Sequence, residues 1–366
     1  MVNNIKIPWW YTEIGEAERN SVMAAFDNKQ FSMGAVTRDF ENQMAEKLGV
    51  RYAVAAPSGT AALTMALMAA GVAAGDEVII PDLTWIATAN AAAILGVRVV
   101  LVDCLPDVPL INIKEVKKKI SKRTRAIIPV HLNGRACQID ELKEMTDGSK
   151  ITLIEDTCKA LFSKTPQGYL GTLADIGCFS LGMVSLISTG YGGLAVTNEK
   201  AIFEKLVIIR NQGVPSVGEE EYLTTSFNFK FSDILAAIGL AQLARLDEKL
   251  EHVNRVYKRY VDGLSSLPYI QLIPVDVNLG KVPLCAEFRS AEREQLIAYL
   301  QTNDVEPLRF HLPLHRASYL RNSGDFSNAS KFAREGFILP CGPSQPLENV
   351  DRCIELVQNY TKRTGR

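Results

Sequence analysis

Residues 175–193 read DIGCFSLGMVSLISTGYGG, and the rest of the chain is arranged around them. The first part, Ile176 to Leu181, is a short apolar run bounded by a charge and a glycine, which predicts a buried strand. The glycine-rich end, TGYGG, predicts a tight return into a second strand at 194–197. The short loop between these parts has Ser180 and Ser185 at its ends.

Strands and helices alternate before this stretch. Apolar runs predict strands at 52–56, 77–81, 97–103, 125–132 and 151–156. Most of these runs are separated by helical patterns, and they are almost continuously apolar, as in a parallel sheet covered by helices on both faces. We therefore predict an α/β fold with a large, mostly parallel sheet sandwiched by helices.

A second, smaller unit is predicted after a long amphipathic helix, from about 233 through 260, leads out of the first one. Short strands are expected near 270–273 and 282–286, and helices near 291–302, 328–335 and 347–360. This pattern predicts a large domain at 1–250, with an N-terminal helical segment, and a small C-terminal α+β domain at 251–366.

Composition limits the functional classes. The 366 residues carry a net charge of −1, which gives no indication of a nucleic-acid or anionic-membrane partner. No run of about 18 apolar residues predicts a membrane span, and the N-terminus lacks the apolar segment of a signal peptide. The seven scattered cysteines, without a CxxC, are typical of free thiols in a reducing cytoplasm. The four histidines show no ligand spacing with them, so no metal site is expected.

Candidate ligand-binding residues follow predicted strands. Small residues at Ser58, Gly59 and Thr60 open a helix directly after a strand, and free N–H groups at a helix start can bind an anion, although an ordinary strand-to-helix turn also explains them. Trp85 stands at the start of another helix, where its ring can either pack in the core or stack on a ligand. Asp156 ends a parallel strand, where it can face a ligand crevice or cap a helix.

The order and spacing of these motifs resemble the DegT/DnrJ/EryC1/StrS family, the pyridoxal-phosphate (PLP) sugar aminotransferases of aminotransferase fold type I. The family patterns S-G-T-x-A-L, P-x-x-T-[WF]-x-A-T-x-N and E-D-x-[AC]-[QH]-[AS] have counterparts at 58–63, 81–90 and 155–160. The family's loop, F-S-x-x-x-x-K followed by [TA]-G-x-G-G, corresponds to 179–193. The resemblance covers essentially the whole chain and implies an enzyme with a seven-stranded large sheet that uses PLP or pyridoxamine phosphate (PMP).

The resemblance also implies roles for single residues. The cofactor phosphate is expected to meet Ser58, Gly59, Thr60 and Ser180. Trp85 is expected to stack on the pyridine ring, and Asp156 to pair with the protonated ring nitrogen. Lys159 stands where the family has a glutamine or histidine near the phenolic oxygen of the cofactor.

A later segment, 227–237, resembles one that reaches across a dimer interface in the family. Asn228 is therefore expected to help bind the partner's cofactor phosphate, and the protein is expected to be a homodimer. Lys230 replaces the family's arginine, which keeps the charge but loses the fork geometry. The residues expected on the substrate side are Lys230, Arg309, His311 and His315.

Ser185 stands where the family has the lysine that forms the Schiff base with PLP. We assign Ser185, Asp156 and Lys159 to the catalytic positions. A serine cannot form an imine and is a poor base without a partner, and general base catalysis alone contributes about 10²–10⁴-fold to rates. The phosphate, ring and nitrogen contacts do not need the lysine, so PLP or PMP is expected to bind without a covalent link.

Three interpretations of Ser185 remain open. In the first, the chain is a sugar aminotransferase that passes an amino group from L-glutamate to a keto sugar, nucleotide-linked as in the family's amino-sugar, surface-polysaccharide or antibiotic pathways, and Ser185 disables or alters it. In the second, it belongs with the family's PMP-dependent sugar 3-dehydratases, in which histidine replaces the lysine. In the third, it is a catalytically dead cofactor-binding paralogue.

Overall fold

The computed structural model describes residues 6–215 and 221–363. The strands of this part of the chain are β1 (Tyr52–Ala56), β2 (Glu77–Pro81), β3 (Arg98–Val102), β4 (Thr124–Ile127), β5 (Thr152–Asp156), β6 (Lys164–Thr165), β7 (Gly168–Tyr169), β8 (Ile176–Ser180), β9 (Gly193–Thr197), β10 (Gln271–Leu272), β11 (Ala286–Arg289), β12 (Leu308–Arg309) and β13 (Gly336–Leu339). Its α-helices are α1 (Glu16–Asp27), α2 (Ala35–Leu48), α3 (Gly59–Ala69), α4 (Ile86–Ala93), α5 (Ile113–Lys119), α6 (Ile139–Thr146), α7 (Lys200–Arg210), α8 (Asp233–Ala244), α9 (Leu246–Leu264), α10 (Arg293–Gln301), α11 (Ser327–Glu335) and α12 (Leu347–Arg363).

The large sheet has seven strands in the order β1-β9-β8-β5-β4-β2-β3. Strand β9 runs antiparallel to both of its neighbours, and the other neighbours pair in parallel. This confirms the predicted seven-stranded, mostly parallel sheet. All of its strands except β9 therefore point the same way, and their carboxyl ends meet at one edge.

Helix α3 lies against the half of this sheet that runs from β1 to β5. Its sequence, GTAALTMALMA, carries no charged side chain, and nine of its residues are buried. The helix packs against β1, β5, β8 and β9, and against α4 and α7. A helix without a polar face can only be stable when it is covered on all sides, so α3 is held firmly with its N-terminus at the carboxyl edge of the sheet.

The C-terminal part is built on a smaller antiparallel sheet in the order β10-β11-β13-β12, with α9 packed against α12. The N-terminal segment also pairs with this part, because Ile7 bridges Val305 and Trp10 bridges Cys341. We retain as a proposal a boundary at residue 250 between a large and a small domain; its outer limits, 1 and 366, lie outside the described residues. No helix of the described ranges is long and apolar enough to cross a membrane.

The prediction of a single helix over 233–260 is wrong, because the helix is interrupted at Arg245. The backbone there has φ −103° and ψ 20°, so α8 ends and α9 begins around this residue. Helix α8 packs on α1 and α2, whereas α9 packs on α12. The Arg245 guanidinium donates to Glu18 at 2.9 Å. Hydrophobic periodicity does not reveal one non-helical residue, because both halves are helical in pattern.

The strand expected at 282–286 is also misplaced, since β11 begins only at Ala286. The backbone amides just before β11 donate hydrogen bonds to side chains of the large unit and not to a neighbouring strand. The Val282 amide donates to Ser163 Oγ at 2.9 Å, and the Cys285 amide donates to Asn133 Oδ1 at 2.8 Å. The strand expected at 125–132 is likewise shorter and ends at Ile127.

Candidate active site

A cavity of about 590 Å³ opens at the carboxyl edge of the large sheet. Its walls include the segments that follow β1, β2, β5 and β8, and the opposite wall comes from the C-terminal part through Leu284, Arg309 and His311. In open α/β sheets this edge is the usual place for a ligand. The cavity therefore brings together residues that are more than 200 positions apart in the chain.

The N-terminus of α3 forms one end of the cavity. Ser58 is the N-cap, and its Oγ accepts a hydrogen bond from the Ala61 amide at 3.0 Å. The amides of Gly59 and Thr60 belong to the first turn, which has no intrahelical acceptor, so they can bind an anion. A Cβ on Gly59 would lie 3.0 Å from Cys158 Sγ and 3.1 Å from Ser180 Cβ. This close packing brings Ser180, at the end of β8, beside the helix start.

Asp156 ends β5 and is 3% exposed. Its Oδ2 accepts a hydrogen bond from Thr88 Oγ1 at 2.7 Å, and its Oδ1 accepts one from the Cys158 amide at 3.1 Å. A carboxylate has about four acceptor positions, so Asp156 can accept a further N–H donor from a ligand in the cavity. This arrangement suits a protonated ring nitrogen.

Trp85 projects beside the cavity from the N-cap of α4 and is 60% exposed. Its ring lies 5.8 Å from the His311 ring, edge to face at 64°. One face of the indole is thus available for a planar ligand. Burial and the neighbouring charge of Lys159 lower the pKa of His311 to about 4, so this imidazole is neutral at physiological pH.

Lys159 and Ser185 differ in their access to the cavity. Lys159 lines the cavity, and its Nζ donates to the Val184 carbonyl at 2.6 Å. Ser185 is 2% exposed, and its Oγ has no hydrogen-bond partner among the residues described by the structure. Val184 faces the cavity, whereas Ser185 is not among the described residues that line it. The amine of Lys159 therefore lies against this loop.

The residues expected on the substrate side separate into two groups. Arg309 and His311 line the cavity. The Arg309 guanidinium is paired with Glu294, whose carboxylate accepts from Nη2 at 2.6 Å. His315 instead bonds through Nδ1 to the buried Asp82 at 2.7 Å and stacks on Phe326, with ring centroids 5.0 Å apart.

Asn228 and Lys230 lie away from this cavity, on the segment before α8. Asn228 is exposed, and its Oδ1 accepts from the Lys230 amide at 3.2 Å. Neither residue is among the described residues that line the cavity.

Several contributors to the site escaped sequence reasoning. Thr88 holds Asp156, and Thr84 bonds Thr88 with hydroxyl oxygens 3.2 Å apart. Both threonines belong to the quoted motif at 81–90, so their spacing was the available signal. Cys158 also belongs to a quoted motif, the one at 155–160. Glu287 lines the cavity without any such signal, because its position depends on packing between distant segments.

Together these residues fit PLP or PMP. The start of α3 and Ser180 supply donors for a phosphate, Trp85 supplies an aromatic face, and Asp156 has a free acceptor position in the cavity. The described residues contain no group of three or more His, Cys, Asp or Glu side chains placed to hold a metal ion.

Comparison with known proteins gives consistent matches. The sequence model of the DegT/DnrJ/EryC1/StrS aminotransferase family matches residues 12–358. The chain is 32% identical over 346 residues to the GDP-perosamine synthase of Caulobacter vibrioides, covering 92% of this chain and 93% of that protein. It is 30% identical over 339 residues to the GDP-perosamine synthase of Vibrio cholerae, covering 90% of this chain and 92% of that protein.

A solved structure shows the same architecture. The aminotransferase TlmJ from Streptoalloteichus hindustanus superposes with a TM-score of 0.92 at 26% identity, covering 99% of this chain and 100% of that one. The predicted fold is thereby confirmed.

Proposed function

Because this chain belongs to the DegT/DnrJ/EryC1/StrS aminotransferase family, whose members use PLP or PMP, we propose that it is a sugar aminotransferase with an altered catalytic loop. The amino donor is L-glutamate and the acceptor is a keto sugar, most simply one linked to a nucleotide. The similarity to GDP-perosamine synthases supports this acceptor class. Ser185 in place of the loop lysine lowers the rate of any such transfer.

One observation carries the proposal. Four separate segments contribute to one cavity. The start of α3 contributes backbone amides, and the other three contribute the side chains of Trp85, Asp156 and Ser180. Folding by itself does not require that contacts for a phosphate, a ring and a ring nitrogen converge on one cavity. We therefore infer that cofactor binding is retained.

The residues of the chain have distinct tasks in this proposal. When bound, the cofactor carries the amino group and stabilises negative charge on the adjoining carbon. Asp156 holds the proton on the ring nitrogen, and the Thr88 hydroxyl keeps that carboxylate in place. Trp85 orients the ring, and the amides of Gly59 and Thr60 anchor the phosphate. Lys159 and His311 both line the cavity, and each can hold or move a proton there.

A second candidate is the PMP-dependent sugar 3-dehydratase, and His311 is the observation that favours it. That reaction class uses a histidine where aminotransferases use the lysine. Here a neutral imidazole reaches the cavity from a different segment and lies beside Trp85. A neutral imidazole can accept a proton from a substrate carbon.

The assay that separates these functions uses three forms of the protein: the natural chain, Ser185→Lys, and Lys159→Gln with Ser185→Lys, which matches the family pattern at both positions. Each is mixed with PLP, L-glutamate and a panel of 3-keto and 4-keto nucleotide sugars. We expect 2-oxoglutarate and an aminated sugar by mass spectrometry, with rates about 10²–10⁴-fold higher in the lysine variants.

Three results would contradict the aminotransferase proposal. Lysine variants that bind PLP but never release 2-oxoglutarate, or the keto acid of any other amino donor, would exclude it. Loss of a sugar hydroxyl with PMP, abolished by His311→Gln, would establish the dehydratase. Cofactor binding with neither product would leave the catalytically dead paralogue.

We also propose a cytoplasmic homodimer with two composite sites. Asn228 and Lys230 are displayed outside the cavity of their own chain, on a segment with exposed apolar side chains at Tyr222, Leu223 and Phe227. Burying such side chains against a second copy would be favourable. Light scattering at micromolar concentration with cofactor is expected to give the dimer mass. A monomeric mass under these conditions would contradict the composite site.

A further inference from the structure

We propose that Lys159 supplies the reactive amine of this cavity and bonds covalently to an aldehyde held there, replacing the lysine that the loop lacks at residue 185. The inference rests on the proposed function, because the aldehyde is that of PLP. It departs from the sequence-based expectation of a purely non-covalent complex. The departure has a geometric basis.

The Lys159 amine contacts the catalytic loop. It lies on the turn after β5, three residues beyond Asp156, and its Nζ is 2.6 Å from the carbonyl oxygen of Val184. Val184 immediately precedes the position of the family's lysine. An amine therefore lies next to that loop although residue 185 has none.

Ser185 cannot compete for this role. Its side chain is buried, its Oγ lacks a hydrogen-bond partner in the described parts of the chain, and it is not among the described residues facing the cavity. Residue 185 therefore offers no amine to the cavity, whereas Lys159 lines it.

Burial makes the Lys159 amine easier to deprotonate than an exposed lysine. Burial lowers the pKa of Lys159 below its usual value, against the opposing effects of nearby thiols and Asp156. The charged or titratable groups around it are Cys158, Cys285, Cys341, Asp156 and His311. Burial raises the pKa of both Cys158 and Cys341, so these thiols are uncharged at neutral pH. A lysine whose pKa is lowered by burial is a better nucleophile than an exposed one.

The chemical step is a condensation without any change of oxidation state. The nitrogen lone pair of Lys159 attacks the carbonyl carbon, and a carbon–nitrogen double bond forms. The nitrogen loses its two protons, and the carbonyl oxygen leaves with them as water. The neutral His311 imidazole is the neighbouring group that can take up and return a proton during this exchange.

The test is reduction with borohydride followed by peptide mapping. The protein is equilibrated with PLP, binding is measured by equilibrium dialysis, and the mixture is reduced and digested for mass spectrometry. We expect the pyridoxyl mass on the peptide that contains Lys159. Mapping of the natural chain requires no variant, so the result does not depend on whether a substituted protein folds.

Matched variants strengthen the assignment. Lys159→Arg keeps a long basic side chain but cannot form the bond, and it is expected to lose the label while still retaining PLP in dialysis. Lys249→Arg is the control, because burial lowers the pKa of Lys249 to about 8 in a different, polar cavity. In Lys249→Arg, the amount of label at Lys159 is expected to equal that in the natural chain. In Lys159→Gln with Ser185→Lys the label is expected to move to residue 185.

The outcomes separate this inference from the proposed function. The inference would be overturned if the natural chain retained PLP without label at Lys159. It would also be overturned if Lys159→Arg carried as much total pyridoxyl label as the natural chain. Either result would leave the cofactor proposal standing. PLP not retained by any form would overturn both. Label at Lys159 that disappears in Lys159→Arg and persists in Lys249→Arg would establish the inference.

Discussion

Asp156 owes its position to a side chain on another helix. The Thr88 hydroxyl, on α4, donates to Oδ2, while the amide of Cys158 donates to Oδ1. Thr84 supports this bond from one turn earlier. A hydrogen bond to a charged group is worth about 1.5–3 kcal/mol when it is buried. Thr88 is therefore a positioning residue for the carboxylate.

Thr88→Val is expected to weaken PLP binding and to lower the free energy of unfolding by about 1.5–3 kcal/mol, because Asp156 Oδ2 loses its donor. The free energy is read from urea unfolding and the affinity from equilibrium dialysis. Thr84→Val is the matched control, since its hydroxyl contacts Thr88 and not Asp156. Equal effects of both substitutions would contradict the positioning role of Thr88.

The start of α3 is set by its contact with β9. A Cβ on Gly193 would lie 2.2 Å from the Ser58 carbonyl oxygen and 2.7 Å from the Gly59 nitrogen. Only a residue without a side chain allows the strand to approach the helix so closely. The phosphate-binding turn therefore depends on the first residue of a strand that is more than 130 positions away.

Gly193→Ala is expected to push the N-terminus of α3 from the sheet, at a cost of about 1–3 kcal/mol or more. Thermal unfolding and PLP affinity should both deteriorate. Gly182→Ala serves as the control, because its Cβ would have ordinary contact with Ser180 Oγ at 3.4 Å. A Gly193→Ala protein with normal stability and normal affinity would show that the close contact is unimportant.

Strand β5 is anchored by Glu155, the neighbour of Asp156. This buried carboxylate accepts from the amides of Gly171, Leu173 and Ala174 at 2.7–2.9 Å, and from His131 at 2.8 Å. Burial alone would raise its pKa, but the bonds from His131 and the amides outweigh burial and lower it. Glu155 thus ties β5 to the loop that precedes β8.

The lowered pKa predicts acid sensitivity. The unfolded chain binds a proton on Glu155 more readily than the folded chain, so the stabilisation is complete above the ordinary pKa of 4.5 and is lost as the pH falls through the lower folded value. Glu155→Gln is expected to lose about 3–5 kcal/mol at neutral pH and to show a shallower loss below pH 4.5. Urea unfolding across pH tests this.

The exposed Glu144→Gln is the control for that series, and it should follow the natural chain at every pH. An unchanged acid slope in Glu155→Gln would contradict the assignment to Glu155.

A buried ion pair joins the large sheet's unit to the smaller sheet. Arg135 donates to Glu287 at 2.6 Å and to the carbonyls of Ile273 and Pro274 at 2.7 and 2.8 Å. Both side chains of the pair are at most 5% exposed. Glu287 also lines the cavity, so this contact sets one wall of the site.

Arg135→Ala is expected to lower the free energy of unfolding by about 3–5 kcal/mol, because it leaves Glu287 buried without its charged partner. The exposed pair of Arg259 with Asp351 offers a control, since Arg259→Ala should cost about 0–1 kcal/mol. Urea unfolding gives both values. Similar losses for the two variants would contradict a joining role for Arg135.

Local pattern was enough to place the strands that carry the site. The bounds of β1 and β2 match their predicted ranges, because apolar runs bounded by turn residues are short-range signals. Motif spacing was enough for the family and for the fold type, since each motif follows a strand whose end is at the same edge. The break at Arg245 and the backbone of 282–285 could not be read in this way.

Tertiary structure decided how the site is assembled. The bonds from Thr88 to Asp156, from Lys159 to Val184 and from His315 to Asp82 each join segments that are separated in the chain by 25 to more than 200 positions. Residue types show that such groups can pair, but only packing brings particular atoms within hydrogen-bond distance. The sequence alone therefore revealed that the loop lacks its lysine, whereas the fold revealed which other amine lies beside it.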